Sequence, residues 1–157
     1  MTAKIIDGKR ISAEVKARAA EEVKKLNEMG ISVGLAVVIV GNNPASRIYV
    51  NNKKKACETC GIISEEYALP EETTEDELLE LVHSLNNKKE INGILVQLPL
   101  PKQIDEKKII AAISPKKDVD AFHAINVGNI MIGDFDFLPC TPSGCMELIQ
   151  STGVSIE

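Results

Sequence analysis

The chain has 157 residues, of which 44% are hydrophobic and 26% charged, and its mean hydropathy is −0.02. These values are typical of one globular domain, and no apolar run approaches the length that a membrane span requires. Eighteen basic and 23 acidic residues give a net charge of −5, which argues against a nucleic-acid-binding protein.

The first third of the chain predicts a helix, a strand and a second helix. Asp7 can cap an amphipathic first helix, and Gly30 stands where such a helix would end. The continuous apolar run at residues 34–41 predicts a strand that is buried on both faces, as parallel sheets require. Asn43 and the proline after it predict the start of the second helix, which we expect at residues 44–60.

The rest of the chain continues to alternate strands and helices. We expect strands at residues 62–69, 93–96 and 135–138, a helix after the capping box of Thr74 and Glu77, a short helix at residues 105–112, and a last helix capped by Thr141. This order predicts an α/β fold in which three layers, α/β/α, surround a mostly parallel four-stranded sheet. Ligands of such sheets lie beyond the carboxyl ends of the strands, which selects residues 41–43 and 97–101.

Tyr49 and Lys53 lie four residues apart on the second predicted helix, so their side chains share one face. At the ligand end of the sheet, a partly desolvated lysine can act as a general acid or base. The alternative is a structural pair, in which Tyr49 packs and Lys53 extends its ammonium group to solvent. Short-chain dehydrogenases use the same spacing, but they need a glycine-rich dinucleotide loop that GLAVVIVGNNPAS lacks.

The four cysteines allow a zinc site or a structural role. Cys57, Cys60, Cys140 and Cys145 are enough for a four-thiolate site by number. However, the first pair lies at the end of a predicted helix, and the second pair is five residues apart, outside the usual spacing. We therefore expect buried small hydrophobic residues and no bound metal.

Four motifs occur in a fixed order along the chain: PASRIYVNNKKKAC, GILVQLPLP, PKKDVDAFH and PCTPSG. Together they resemble the methylenetetrahydrofolate dehydrogenase/cyclohydrolase family, from the first residues to about Gly153. The resemblance implies a fold like the N-terminal domain of amino-acid dehydrogenases. It also implies an enzyme that oxidises 5,10-methylenetetrahydrofolate with NAD or NADP and hydrolyses 5,10-methenyltetrahydrofolate to 10-formyltetrahydrofolate.

The resemblance further implies a folate site made of six residues: Tyr49, Lys53, Gln97, Leu98, Pro99 and Asp120. Lys53 would be the general acid/base, Gln97 would position it, and Tyr49 would stack on the folate rings. An uncharged amide can orient a lysine without forming an ion pair, and a flat ligand favours a tyrosine face. Asp120 would hold the pterin, because a carboxylate can accept two adjacent N–H groups.

The chain departs from the family pattern in two respects. Ala121 follows the second aspartate of KDVD, where the family has glycine, so the loop of Asp120 is expected to differ if that glycine has a positive φ. The family also continues into an NAD(P)-binding Rossmann-type domain, and residues 1–157 contain no G-x-G-x-x-G. We expect residues 1–140 to form the folate domain, residues 141–157 to start an interdomain helix and linker, and this chain to hold no nucleotide.

Three functions stay open at this point. The chain is a folate-dependent catalytic domain, a folate-binding module without turnover, or a metal or redox protein built on the cysteines. The expected ligand is a small-molecule tetrahydrofolate, with neither nucleic acid nor membrane as a partner. The family implies a homodimer for the full-length enzyme and leaves a monomer as the expectation for this chain. Because MTAKIIDGKR lacks the apolar segment of a secretory signal, we expect a cytoplasmic protein.

Overall fold

A computed structural model describes residues 3–155 of the chain. Its elements are α1 (Gly8–Glu28), β1 (Gly34–Val40), α2 (Pro44–Cys60), β2 (Ile63–Leu69), α3 (Glu75–Asn87), β3 (Gly93–Val96), α4 (Glu106–Ala112), α5 (Ala124–Ile132) and α6 (Cys140–Gln150). The three strands pair in parallel in the order β2, β1, β3. Within the described residues, no helix is both long and apolar enough to cross a bilayer.

Strand β1 lies at the centre of the sheet, and its apolar side chains alternate between two cores. Val38 belongs to the core that α3 and α4 cover, whereas Val37 and Ile39 belong to the core that α2 covers through Val50. The strand is therefore buried on both faces, as its continuous apolar sequence predicts. This arrangement confirms the α/β fold and its three layers.

The polar residues predicted to begin the first three helices do so. Asp7, Asn43 and Thr74 each accept hydrogen bonds from backbone N–H groups in the first turn of α1, α2 and α3. The capping box of Thr74 and Glu77 is formed in both directions. Gly61 ends α2 with a φ of 75°, in the left-handed region that suits glycine. Local chemistry therefore determines where these helices begin and where α2 ends.

The carboxyl-terminal third differs from its prediction. Residues 135–138 do not form the expected fourth strand, because the free edge of β3 already pairs with the chain at Asp118. Helix α5, which the sequence did not predict, is capped by His123, whose Nδ1 accepts the N–H of Ile125 at 3.1 Å. Helix α6 begins at Cys140, and the Thr141 side chain does not cap it.

Candidate active site

The ammonium group of Lys53 lies at the carboxyl end of the sheet, where it contacts the residue that follows β3. Gln97 follows β3 directly, and its backbone N–H donates to the Val38 carbonyl of β1 at 2.8 Å. The Lys53 Nζ donates a hydrogen bond to Gln97 Oε1 at 3.2 Å. Pairing of β1 with β3 therefore brings together two side chains that are 44 positions apart in the sequence.

The amide of Gln97 is itself oriented. Its Nε2 donates to the carbonyl of Leu98 at 2.8 Å, which leaves Oε1 as the atom that faces Lys53. The next peptide bond, between Leu98 and Pro99, is cis. Gln97 is therefore a neutral acceptor for the lysine and does not neutralise its charge.

The tyrosine of the pair lies under the lysine and is open to solvent. The Lys53 Nζ is 5.6 Å from the centre of the Tyr49 ring, within the range of a cation–π contact. Tyr49 is 62% exposed, so the ring offers a flat apolar surface beside the ammonium group. The structural alternative, in which Tyr49 packs into the core, does not agree with this exposure.

These side chains line a cleft of about 280 Å³. Its walls are Tyr49, Lys53, Leu95, Val96, Gln97, Leu98, Asp120, Phe122 and Thr141. Five of the six predicted site residues are among them, whereas Pro99 is exposed and does not line the cleft. The other four lining residues were not predicted as site residues, although all belong to motifs already quoted: Leu95, Val96, Phe122 and Thr141. Phe122 lies two residues after Asp120, and that proximity was the available signal.

Asp120 supplies the carboxylate of the cleft. Burial raises the pKa of Asp120 above its ordinary value; the positive charge of Lys53 opposes this shift, and the negative charge of Asp118 adds to it. A carboxylate in such surroundings has lost part of its water shell. It is therefore suited to accept hydrogen bonds from a ligand that replaces this water.

Replacing Asp120 by asparagine is expected to stabilise the chain in a pH-dependent way. Because the folded chain raises the pKa of Asp120, it favours the protonated form, and the ionised form lowers stability at any pH above that raised value. Asp120→Asn should therefore raise the melting temperature at pH 7, and the gain should shrink as the pH falls through the raised pKa towards the ordinary one. Thermal unfolding between pH 3 and pH 7 measures this, and a gain independent of pH would contradict it.

Ala121 stands at the position where the family resemblance implies glycine. Its φ is 56°, and it is 1% exposed. The loop therefore contains the positive φ that glycine would adopt easily, but a residue with a Cβ adopts it here. Contacts with the surrounding residues must therefore hold Ala121 at this positive φ.

The four cysteines divide into two pairs. Cys57 and Cys60 are buried as predicted, but Cys140 and Cys145 are exposed, so the prediction of buried hydrophobic residues is wrong for the second pair. The reason is that α6 buries none of its own residues in the described part of the chain. All four thiols are free, and residues 3–155 contain no group of three or more His, Cys, Asp or Glu side chains that could hold a metal.

The turn between β1 and α2 does not suit the pyrophosphate of a dinucleotide. Asn43 Oδ1 already accepts the N–H groups of Ala45 and Ser46, at 2.9 and 3.2 Å, which are the donors that a phosphate would need. A carboxylate oxygen of Glu71 also occupies the space into which a Cβ on Gly41 would point. The described residues therefore do not fit NAD or NADP at this turn.

The chain matches known proteins over nearly its whole length. A family model for the catalytic domain of tetrahydrofolate dehydrogenase/cyclohydrolase matches residues 6–120. Bifunctional protein FolD of Acetivibrio thermocellus is 60% identical over 156 residues, which are 99% of this chain and 55% of that protein. The chain thus spans about half the length of the curated relatives it matches.

Solved structures agree with this match. The bifunctional FolD methylenetetrahydrofolate dehydrogenase/cyclohydrolase of Campylobacter jejuni is 47% identical and superposes with a TM-score of 0.92, over 96% of this chain and 54% of that one. The Trypanosoma brucei enzyme, solved with NADP and an inhibitor, is 35% identical with a TM-score of 0.93, over 99% and 54% of the two chains. From the family match, the fold and these identities, the chain belongs to the tetrahydrofolate dehydrogenase/cyclohydrolase family and corresponds to its catalytic domain.

Proposed function

We propose that the cleft binds a reduced folate and hydrolyses 5,10-methenyltetrahydrofolate to 10-formyltetrahydrofolate. The observation that supports this most directly is a lysine held by a neutral amide and an aromatic ring, 3.2 Å and 5.6 Å away, in a cleft with one carboxylate. Neither partner of Lys53 is an anion, so the lysine can exchange its proton with a substrate. The Campylobacter jejuni relative, which is 47% identical, is named a methylenetetrahydrofolate dehydrogenase/cyclohydrolase, and this name agrees with the proposed activity.

Asp120 and Tyr49 would bind the substrate at two different places, so that its reacting carbon is held in a fixed position. The pterin edge presents adjacent N–H groups, and Asp120 would accept both of them through its two oxygens. The ring of Tyr49, which is exposed, would stack on the flat part of the folate. Together these contacts would leave the bridging methenyl carbon beside Lys53.

Hydrolysis requires two proton movements, and Lys53 would perform both. As neutral amine, it would take a proton from a water molecule while the water oxygen bonds to the methenyl carbon of the cation. As ammonium, it would then give this proton to the pterin ring nitrogen when the bond between that nitrogen and the carbon breaks. The carbon stays on the other nitrogen as a formyl group, and the second proton of the water is released to solvent.

The dehydrogenase activity is a proposal for the longer protein that the relatives represent. NAD or NADP would supply a hydride acceptor for the methylene carbon of 5,10-methylenetetrahydrofolate. The turn after β1 does not fit such a cofactor, so we derive no step through it from these residues. From the family resemblance alone, we also propose a cytoplasmic protein that uses no metal and is a homodimer in its full-length form. In it, residues 1–140 would form the folate domain, and residues 141–157 would begin the connection to a nucleotide domain.

The direct test is to incubate the chain with 5,10-methenyltetrahydrofolate and follow the loss of its absorbance. Hydrolysis faster than the spontaneous rate supports the proposal. Calorimetric binding of tetrahydrofolate without faster hydrolysis would instead identify a folate-binding module without turnover. A chain that neither binds tetrahydrofolate nor accelerates hydrolysis would contradict both functions.

Gln97→Glu is expected to slow hydrolysis. A carboxylate in place of the amide, 3.2 Å from the Lys53 Nζ, would form an ion pair with the ammonium group and make its proton harder to remove. Since the first proton transfer needs the neutral amine, the initial rate of absorbance loss should fall by about 10-fold. Gln150→Glu, the same change at an exposed residue of α6 outside the cleft lining, is the control. An unchanged rate in a folded Gln97→Glu chain would exclude Lys53 as the base.

A further inference from the structure

The loop that bears Asp120 is closed by a hydrogen bond to a buried carboxylate. Asp118 is 3% exposed, and its Oδ2 accepts two hydrogen bonds. One comes from the backbone N–H of His123 at 2.8 Å, and the other from Nδ2 of Asn126 at 2.9 Å. The first of these bonds joins the residues on either side of Asp120, so Asp120 lies at the tip of a closed loop, residues 118–123.

Asn126 connects this loop to helix α5. The residue is 7% exposed, and the same Nδ2 group donates to the Pro115 carbonyl at 2.9 Å as well as to Asp118. The two acceptors, Pro115 and Asp118, lie just before the loop and at its first residue. Asn126 is buried and is not among the residues that line the cleft.

The two halves of the loop are fixed in different ways. The first half is fastened to the sheet, because Ile94 of β3 donates its N–H to the Lys117 carbonyl at 2.7 Å. Val119 also packs so closely on Gly93 that a Cβ there would lie 2.5 Å from a Val119 methyl carbon. The second half is fixed by the hydrogen bond from the His123 N–H to Asp118 Oδ2, and Asn126 of α5 donates to the same oxygen.

The second half also contains the strained residue. Ala121 adopts a φ of 56°, which a residue with a Cβ disfavours by roughly 5- to 30-fold relative to ordinary conformations. Its N–H donates to the Asp118 carbonyl at 3.2 Å, so this contact also depends on the position of Asp118. Without further restraint, the loop would relax to a negative φ at Ala121, and Asp120 would turn with it.

From this arrangement we infer that Asn126 is a positioning residue: through Asp118 it holds residues 118–123 against the strain at Ala121, so that the Asp120 carboxylate faces the cleft. The inference rests on the proposed function, because it takes Asp120 to be the group that binds the pterin. Asn126 acts on affinity and not on proton transfer, since Lys53 and Gln97 belong to α2 and the end of β3.

The test compares Asn126→Ala with the unchanged chain by calorimetric titration with tetrahydrofolate. Loss of a buried supporting contact should raise the Kd by about 10-fold. In hydrolysis of 5,10-methenyltetrahydrofolate, KM should rise by a similar factor and kcat should stay within about twofold. Asn129→Ala is the matched control. It removes the same kind of side chain from α5, but the Asn129 side chain does not form the bonds to Asp118 and Pro115.

A second substitution separates positioning from a general loss of structure. Glycine adopts a positive φ freely, so Ala121→Gly in the Asn126→Ala chain should restore the Kd to within about threefold of the original. A purely structural role for Asn126 would leave the affinity of the double variant as poor as that of the single one, or worse. If Asn126→Ala does not fold, Asp118→Asn keeps the shape, weakens both bonds to Oδ2 and should raise the Kd by about threefold.

The outcomes distinguish this inference from the function on which it rests. A folded Asn126→Ala chain that binds tetrahydrofolate with unchanged Kd would overturn the positioning role and leave the folate function intact. A double variant without restored affinity would also overturn it. If the unchanged chain does not bind tetrahydrofolate at all, the proposed function fails, and the positioning of Asp120 for a pterin fails with it.

Discussion

Replacing Lys53 by methionine is expected to slow hydrolysis of 5,10-methenyltetrahydrofolate by about 10²- to 10⁴-fold while the chain still folds. Methionine keeps most of the length of the side chain, but it loses the cation–π contact with Tyr49 and can neither take a proton from water nor return it. The lysine side chain is only partly buried, and among residues 3–155 its one hydrogen bond is to Gln97, so its loss should leave the fold intact.

Lys54→Met provides the control for this experiment. Lys54 is the next residue on α2, is exposed and does not line the cleft, so the same loss of charge should leave the rate unchanged. Initial rates of absorbance loss measure both variants, and circular dichroism checks that they are folded. Turnover at the original rate by a folded Lys53→Met chain would show that the proton is moved by another group.

Replacing Asp120 by alanine is expected to act on binding more than on turnover. A hydrogen bond to a charged group contributes about 1.5 to 3 kcal/mol, so losing the contact to the pterin should weaken tetrahydrofolate binding by about 10- to 100-fold. The value of kcat should change much less, because Asp120 would contact the pterin edge and not the carbon that reacts.

Asp136→Ala is a suitable comparison, because it removes an exposed carboxylate that does not line the cleft. Its tetrahydrofolate affinity should equal that of the unchanged chain. Calorimetric titration gives both Kd values under the same conditions. An unchanged Kd for Asp120→Ala would make Asp120 an ordinary loop residue and would remove the pterin contact from the proposed mechanism.

Much of the fold and of the cleft could be predicted because it depends on short patterns. The helical spacing of Tyr49 and Lys53 placed both on one face of α2, and the apolar run of β1 identified the central strand. The contact between Lys53 and Gln97 follows once β1 and β3 are parallel neighbours, because Gln97 then lies at the carboxyl end of β3 and the helix that bears Lys53 follows the carboxyl end of β1.

The rest depends on contacts that sequence patterns do not contain. The fourth strand was expected at residues 135–138 because nothing in the sequence shows that the chain at Asp118 takes the free edge of β3. The function of Asn126 was not predicted either, because its partners Asp118 and Pro115 are 8 and 11 positions away and in a loop. Helix α5 was missed because its cap is a histidine, which is not among the usual capping residues.

The cleft is formed by α2, by the residues at the end of β3 and by the loop at residues 118–123. Ligand binding therefore depends on the pairing of the strands in the sheet. Lys53, Gln97 and Asp120 become neighbours only while β3 is paired with β1 on one side and with residue 118 on the other. A ligand that contacts all three is bound by the native state alone, and at 100 times its Kd it would stabilise that state by about 2.7 kcal/mol. Amide hydrogen exchange along β3 would therefore slow when the cleft is filled, even at residues that no ligand touches.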